Sequence, residues 1–537
     1  MAQPERLSDT ALRLVDRYRY WLFAGIVLIF LAGFNGQWRV ERDSALYLTI
    51  GRNLAEGHGA TYRGLQNHLV FPGLPYLLDA TFRTFHTESL LPPIVLMLLL
   101  GFVTLGLCYR LFLLYAGRPT AVVMTVGLGM TRLFYRYCFE ILTDLPFLLG
   151  VMAFLAGYEA IFYRRPVRGN EGEAETETGP SRAHWYDWAL LIGGLVVAIT
   201  MRPVMWALLA AVVLALGWRA VRGRINRLHV GVTVLAIGAV ALFYFVGPGR
   251  HGATTGVDDY EITILNRIRD FHATLAQIPH NFRELFPKAA LVKAVFGCKL
   301  WPVLNVGLGV LIFVLALTLF YRRALWGFLV MINFAMLLLF QQPLDRYFVC
   351  VIPLLIFSWW QFLVWLNHKL PANWGNWCFL ALFFGGLGCN IARIGEMVVE
   401  QRGRPFLAHY HDGRYESLER AAPWIAANTT DEDWILAASD QGRILTFKTR
   451  RNVMEPTEKI AVDPKHLYVL VGPSWQDLKD GQKKVKAADE PPRKHRRVST
   501  WLSERGLELG ESIRAPFNAP ADHNPWILYR VVPAPAK

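Results

Sequence analysis

Long apolar segments, separated by short polar connections, occupy most of the first 394 residues. Segments of this length with so few charges are typical of helices that cross a membrane. The pattern predicts about eleven spans, at roughly 20–34, 90–115, 119–134, 146–163, 187–202, 204–218, 229–247, 300–320, 324–340, 348–366 and 375–394. No small-residue cleavage site follows the first span, so we expect it to remain uncleaved, with a cytoplasmic N terminus.

From about residue 395 the chain becomes more polar, and its apolar runs become short. A helix is predicted at 414–429, and strands are predicted at 434–439, 466–472 and 526–532. The basic stretch 479–497 predicts a solvated loop. We therefore expect residues 395–537 to form a small soluble α/β domain, and an odd number of spans would place it on the extracytoplasmic face.

The composition also indicates a membrane protein. Of 537 residues, 53% are hydrophobic and 18% are charged, whereas soluble proteins carry about 25% charged residues. The formal net charge of +14 suits anionic headgroups and phosphates. The sequence contains no zinc finger or other nucleic-acid module, so we expect no nucleic-acid partner. We predict a polytopic α-helical membrane protein with its C-terminal α/β domain in solution.

The first outer loop, at 39–90, contains the first candidate acids. Glu41 and Asp43 lie within a few residues of the first span, and an amphipathic helix is predicted over 44–56, with Ser44 as N-cap and Gly57 ending it. Asp43 either caps this helix or provides an acid for chemistry at the membrane surface. Later in this loop, the two prolines and the charges of segment 71–86 predict an interfacial or re-entrant segment.

A second acidic cluster follows in the next outer loop. Arg132, Arg136, Glu140 and Asp144 recur every four residues and would form one stripe if the segment were helical. Pro146 disfavours helical geometry just before it, so Thr143 or Asp144 could instead cap the next span. Both interpretations remain open, but they place these acids on the same membrane face as Asp43.

Arginines at the outer ends of several spans contradict the usual positive-inside bias. Arg132, Arg136, Arg202 and Arg346 are predicted to converge on one face. A single arginine there is most simply a headgroup anchor, whereas a converging set indicates a phosphate site, because the planar guanidinium binds phosphate oxygens in pairs. The outer loop 248–301 would cover this face, either as a gate for a lipid carrier or as a packing element.

Several short motifs in this order resemble the GT-C glycosyltransferases, in particular family 39, the aminoarabinose transferases and the protein O-mannosyltransferases. They are DSALYLTIGRNLAEG after Arg42, FPGLPYLLDA at 71–80, ILTDLPF at 141–147, TMRPVM at 200–205 and DRYFVCVIPLLIF at 345–357. The resemblance covers residues 20 to about 360. It implies an inner-membrane enzyme of bacteria that moves a sugar from a polyprenyl-phosphate donor to a lipid, glycan or protein hydroxyl outside the cytoplasm, with inversion.

The resemblance also implies roles for the candidate residues. Asp43 would be the general base, and Arg346, with Arg202 or Arg136, would stabilise the leaving phosphate. Asp144 would be the second catalytic residue. Together with Glu140 it would orient the acceptor, pair with an arginine, or hold a divalent cation with Asp43. The remaining candidates for substrate binding lie in the same motifs or beside them: Glu41, Tyr47 and Tyr347. The alternative function is a transporter or flippase of lipid-linked glycans, which would favour internal repeats and charges at mid-span.

Overall fold

The computed structural model describes residues 7–66, 70–162, 183–245, 270–339, 345–403, 414–437, 442–454, 462–471, 498, 500–516 and 526–534. The predicted solvated loop at 479–497 and the first part of the outer loop 248–301 lie outside these residues.

Helices lie within all eleven apolar segments, but segment 119–134 is divided between two helices, which end at Gly129 and begin at Arg132. Together with the helices between them, they are α1 (Leu7–Gly33), α2 (Arg42–Ala55), α3 (Gly73–Phe85), α4 (Leu91–Leu113), α5 (Arg118–Gly129), α6 (Arg132–Tyr137), α7 (Asp144–Phe162), α8 (Trp185–Met201), α9 (Met205–Val221), α10 (Arg227–Phe245), α11 (Phe271–Leu285), α12 (Ala290–Phe296), α13 (Pro302–Arg322), α14 (Ala324–Leu339), α15 (Ile352–Lys369) and α16 (Ala372–Gly403). Within the described ranges, four helices, namely α4, α7, α13 and α16, contain stretches long and apolar enough to cross a membrane. Four shorter apolar helices accompany them: α8, α9, α10 and α14.

The second acidic cluster is not one helix. Helix α6 ends at Tyr137 and α7 begins at Asp144, so the stripe predicted from the four-residue spacing is wrong. Thr131 opens α6 by accepting a hydrogen bond from the Phe134 N–H at 3.4 Å. The residues between the two helices turn the chain, and this turn brings Asp144 to the start of a span instead of placing it along a helix face.

Helix α2 differs from its prediction at the first turn. Glu41, not Ser44, is the N-cap, and the Ser44 hydroxyl donates to the Glu41 carbonyl at 2.7 Å. Gly57 follows the helix with a positive φ of 86°, as expected of a residue that ends a helix. Segment 71–86 forms α3, which packs so closely on α2 that a Cβ at Gly51 would lie 2.7 Å from the Leu78 Cβ.

The C-terminal residues form a five-stranded mixed sheet with helices α17 (Arg414–Ala427) and α18 (Gly442–Thr449). The strands are β3 (Trp434–Ala437), β4 (Asn452–Met454), β5 (Leu467–Val471), β6 (Leu507–Arg514) and β7 (Ile527–Pro533), numbered after the short hairpin β1 (Thr61–Tyr62) and β2 (Leu65–Gln66). The strand order is β4-β3-β5-β7-β6, and the three central strands are the predicted ones. The sequence did not predict the edge strands, because β4 has three residues and β6 is largely exposed.

Helix α18 docks onto α2 and joins the C-terminal sheet to the first outer loop. The Arg52 guanidinium donates to the Phe447 carbonyl at 2.7 Å, and the Phe447 ring lies edge-on to Trp38 at 5.1 Å. The Lys448 ammonium lies over the Trp38 ring at 5.5 Å. Because these contacts combine aromatic packing with charge and involve residues at both ends of α2, α18 is held along this helix.

Helices α7 and α8 pack with almost no separation, which small residues permit. A Cβ at Gly194 would lie 2.3 Å from the Phe154 backbone nitrogen, whereas a Cβ at Gly193 would meet nothing within 4 Å. We therefore expect Gly194→Ala to force the helices apart and to destabilise the protein by about 1–3 kcal/mol. Gly193→Ala is the matched control. Thermal unfolding of the purified protein checks this, and equal melting temperatures for the two variants would contradict the packing.

Candidate functional site

Asp43 lies in the first turn of α2, where two arginines from distant parts of the chain contact it. Arg346 Nη1 lies 3.2 Å from Asp43 Oδ2, and Arg443 Nη1 lies 3.0 Å from Asp43 Oδ1. Arg346 belongs to a 3₁₀ turn, Asp345–Phe348, just before α15. Arg443 is the second residue of α18. Both carboxylate oxygens of Asp43 therefore have a cationic partner.

Asp144 is the first residue of α7, and its side chain is fully buried. Arg202, at the end of α8, donates to Asp144 Oδ1, and Arg346 Nη2 lies 3.7 Å from Asp144 Oδ2. Arg346 therefore bridges Asp43 and Asp144. The sequence predicted that these two acids and Arg202 and Arg346 would meet, and the geometry agrees with that prediction.

A second group of charges lies between α2 and the loop after α6. Arg136 Nη2 lies 3.0 Å from Glu41 Oε1, and Arg136 Nε donates to Glu140 Oε1 at 2.6 Å. Arg39 donates to the Arg136 carbonyl at 3.4 Å. Glu140 is buried, so these contacts compensate its charge. For Arg132, the structure gives a backbone hydrogen bond from its N–H to Asn390 Oδ1 at 2.9 Å.

Two tyrosines border the bridge between the acids. The Tyr347 ring lies 5.7 Å from the Arg202 guanidinium and 5.6 Å from that of Arg346. The Tyr47 hydroxyl is 3.5 Å from the Thr143 hydroxyl. Burial, with a contribution from the charge of Asp43, raises the pKa of Tyr47 to about 12. Tyr47 therefore stays protonated at neutral pH and can donate a hydrogen bond.

The charges around Asp43 set its ionisation. Burial raises the pKa of Asp43. The guanidinium groups of Arg346 and Arg443 together lower it by a larger amount, so the pKa falls below its ordinary value of 3.8. The two carboxylates, acting against burial, raise the pKa of Arg346. Asp43 and Arg346 are thus both ionised at neutral pH and attract each other as full charges.

Arg443 is the functional candidate that sequence reasoning missed. It lies in GRILTFKT, a segment with no motif, 400 positions after Asp43. The available signal was the basic, partly apolar character of this segment, which many surface helices share. Only the docking of α18 on α2 brings this guanidinium to the site.

The three acids considered as ligands for a divalent cation are each held by arginine. Asp43 contacts Arg346 and Arg443, Asp144 contacts Arg202 and Arg346, and Glu140 contacts Arg136. In the part of the chain that the structure describes, no three His, Cys, Asp or Glu residues are grouped as a metal site.

Solved structures with a similar fold include ArnT from Cupriavidus metallidurans in the apo state, with TM-score 0.50 and 15% identity over 88% of this chain and 95% of that one. The oligosaccharyltransferase of Archaeoglobus fulgidus in the apo form has TM-score 0.54 and 12% identity over 84% of this chain and 69% of its own. The same oligosaccharyltransferase tethered to an acceptor peptide has TM-score 0.50 and 12% identity over the same shares. No family model and no curated protein matches the chain. At these identities the likeness shows the fold alone, which this chain shares with ArnT and with the oligosaccharyltransferase.

Arg443→Gln removes one of the two cations beside Asp43, so we expect the pKa of Asp43 to rise. A carbodiimide activates protonated carboxyl groups, and mass spectrometry reports its reaction with Asp43 as a function of pH. The midpoint should lie below 3.8 in the wild type and higher in the variant.

The control for this experiment is Arg505→Gln, which removes a guanidinium that packs on the Trp501 ring elsewhere in the C-terminal region. It should leave the midpoint unchanged. If Arg443→Gln also left the midpoint unchanged, the contact between Arg443 and Asp43 would be contradicted.

Proposed function

We propose that this GT-C-fold chain is a membrane glycosyltransferase that moves a sugar from a polyprenyl-phosphate donor to a hydroxyl of a lipid, glycan or protein acceptor on the extracytoplasmic face. The resemblance of its motifs to GT-C enzymes supports this function. Two proteins of similar fold also support it: one is an oligosaccharyltransferase, and the other is ArnT, an aminoarabinose transferase. Both names describe sugar transfer.

The observation that carries the proposal is the bridge of Arg346 between Asp43 and Asp144, joined by Arg202 and Arg443. Two of these guanidinium groups, those of Arg346 and Arg443, contact the partly exposed carboxylate of Asp43, and Arg202 contacts the buried Asp144. Guanidinium groups bind phosphate oxygens in pairs and stabilise the charge that develops as a phosphate leaves. The carboxylate provides a base beside them. A glycosyl phosphate needs both functions within one site.

In the proposed reaction, the acceptor oxygen attacks the anomeric carbon, and the bond from that carbon to the donor phosphate breaks. Asp43 takes the proton of the acceptor hydroxyl. Arg346, with Arg202 or Arg443, neutralises the polyprenyl phosphate that leaves. No acid is needed to protonate this leaving group, because its charge is already compensated. A single displacement inverts the anomeric centre.

Because Asp43 is ion-paired, its strength as a base depends on whether the donor phosphate is bound. Both oxygens of Asp43 are engaged by arginines, which keep its pKa low. A donor phosphate competes for the same guanidinium groups. When they turn to the phosphate, Asp43 loses cationic partners and becomes a stronger base, at the moment when an acceptor proton must be removed.

The contacts of α18 also support the proposed topology. Eleven spans would place the first outer loop and the C-terminal domain on the same face. The ion pair between Arg443 and Asp43, together with the hydrogen bond from Arg52 to Phe447, joins those two regions directly. On this basis we propose residues 1–394 as the catalytic membrane domain and 395–537 as an extracytoplasmic domain, with helix α16 continuing across the boundary to Gly403.

The direct test is transfer by the purified protein from a radiolabelled polyprenyl-phosphate sugar to a membrane extract of its host. We expect labelled product from the wild type. A protein that moves labelled lipid across vesicles without transferring the sugar would instead support the transporter alternative.

Substitution of the two acids separates their roles. Asp43→Asn removes the base without burying a new charge, so we expect turnover to fall by about 10²- to 10⁴-fold with little change in stability. Asp144→Asn leaves the guanidinium groups of Arg202 and Arg346 without a fully buried counter-charge, so both turnover and thermal stability should fall.

Asp79→Asn is the matched control, because Asp79 forms an ion pair on the surface of α3 with an exposed arginine. Such pairs contribute about 0–1 kcal/mol, and turnover should stay near that of the wild type. If Asp43→Asn and Asp144→Asn both kept wild-type turnover in folded protein, the site assignment would be wrong.

A further inference from the structure

A second cavity lies at the other end of α2, between the first outer loop and the C-terminal sheet. Its volume is about 230 Å³, and none of the ion-paired residues around Asp43 lines it. Arg52 and Arg63 line it from the outer loop, and Arg450 and Arg451 line it from the connection between α18 and β4. The carboxylates in the lining belong to Glu56 and Asp431. The arginines therefore outnumber the carboxylates by two.

Arg450 and Arg451 pair with acids of the protein. Arg451 pairs with Asp431, and its other N–H groups donate to the oxygens of Thr429 and Ala426. Arg450 lies 3.3 Å from Glu56 Oε1 and 2.7 Å from Glu88 Oε1. These pairs form the structural rim of the cavity.

Arg52 is in a different state. Its guanidinium donates to the neutral Phe447 carbonyl and lies 4.5 Å from the centre of the Phe447 ring. Among the described residues, no carboxylate lies within ion-pairing distance of Arg52. Burial, followed by the nearby charge of Arg450, lowers the pKa of Arg52 to about 10. A guanidinium has five N–H donors, so several remain available to an anion. A bound anion would also stabilise the positive charge of Arg52, which burial and Arg450 disfavour.

Arg63 adds a second guanidinium to the lining of the cavity, also from the outer loop. It has a positive φ of 56°, and its guanidinium lies 4.6 Å from the centre of the Tyr62 ring. The turn between β1 and β2 holds it beside the cavity. One water occupies about 30 Å³ of liquid, so the cavity can hold a phosphate or carboxylate group with the atoms that carry it.

We propose that this cavity binds an anionic group of the acceptor, a phosphate or a carboxylate, through Arg52 and Arg63. The inference rests on the proposed function. Asp43 and Arg52 are nine positions apart on α2, which corresponds to about 14 Å along the axis. An acceptor anchored in the cavity must bridge this distance to bring its hydroxyl to Asp43. An anionic oligosaccharide or a large anionic glycolipid headgroup fits this distance, and a free monosaccharide does not.

The first arm of the test measures binding without catalysis. Inorganic phosphate is titrated into the purified full-length protein by calorimetry. We expect Arg52→Gln and Arg63→Gln each to weaken binding by about tenfold, the loss typical of a hydrogen bond to a charged group. Arg505→Gln removes a guanidinium outside the cavity and should leave the affinity unchanged. Arg52→Gln removes a contact with α18 and could weaken its docking on α2. Arg63 lies on the hairpin between β1 and β2, so Arg63→Gln tests the cavity without changing that contact.

The second arm measures transfer. Inorganic phosphate should raise the amount of membrane extract needed for half-saturation, without changing turnover. Without phosphate, Arg52→Gln and Arg63→Gln should each raise the same amount by about tenfold. Phosphatidylglycerol and phosphatidylcholine vesicles identify the source of the anion. If phosphatidylglycerol alone displaced phosphate from the wild type, the ligand would be a bilayer headgroup and the acceptor assignment would be overturned.

The two proposals fail in different ways. Absence of transfer by the wild type would overturn the proposed function. Normal transfer, with phosphate affinity and half-saturation unchanged in Arg52→Gln and Arg63→Gln, would overturn the cavity assignment alone. Competition of phosphate with the donor instead of the acceptor would also overturn it.

Discussion

The candidate site depends on one guanidinium, that of Arg346, which lies between the carboxylates of Asp43 and Asp144. Its two partners come from α2 and α7, and Arg346 itself comes from the turn before α15. Moving charged groups out of water costs several kcal/mol per ion unless oppositely charged partners compensate them. The three elements are therefore constrained to meet at this point, because displacement of any one would leave a buried charge without its partner.

The same residue type serves two purposes within this network. Asp144 is fully buried between Arg202 and Arg346, so its charge is needed to keep the guanidinium groups in place. Asp43 is 35% exposed. In the proposed reaction, the arginines that contact it would also bind the substrate phosphate. The difference in burial, and not in chemistry, makes Asp144 a positioning group and Asp43 the candidate base.

The C-terminal residues complete the site and extend it. Arg443 adds a third guanidinium to the acids, and Arg450 and Arg451 line the cavity at the other end of α2 together with Arg52. Docking of α18 on α2 thus links both ends of the same helix to the C-terminal sheet. On the proposed function, the region around Asp43 would bind the donor phosphate, and the cavity beside Arg52 would bind the acceptor.

The sequence alone determined the apolar helices, the central strands and the identity of most site residues, because burial in lipid or in a sheet leaves a periodic pattern in local sequence. Asp43, Asp144, Arg202 and Arg346 stood out because charges at span ends are costly and rarely incidental. Only the tertiary structure decided which charges pair, that the cluster at 132–144 is broken between two helices, and that α18 brings Arg443 to Asp43 and Phe447 to Arg52. These contacts join residues up to 400 positions apart, and no local pattern encodes such a distance.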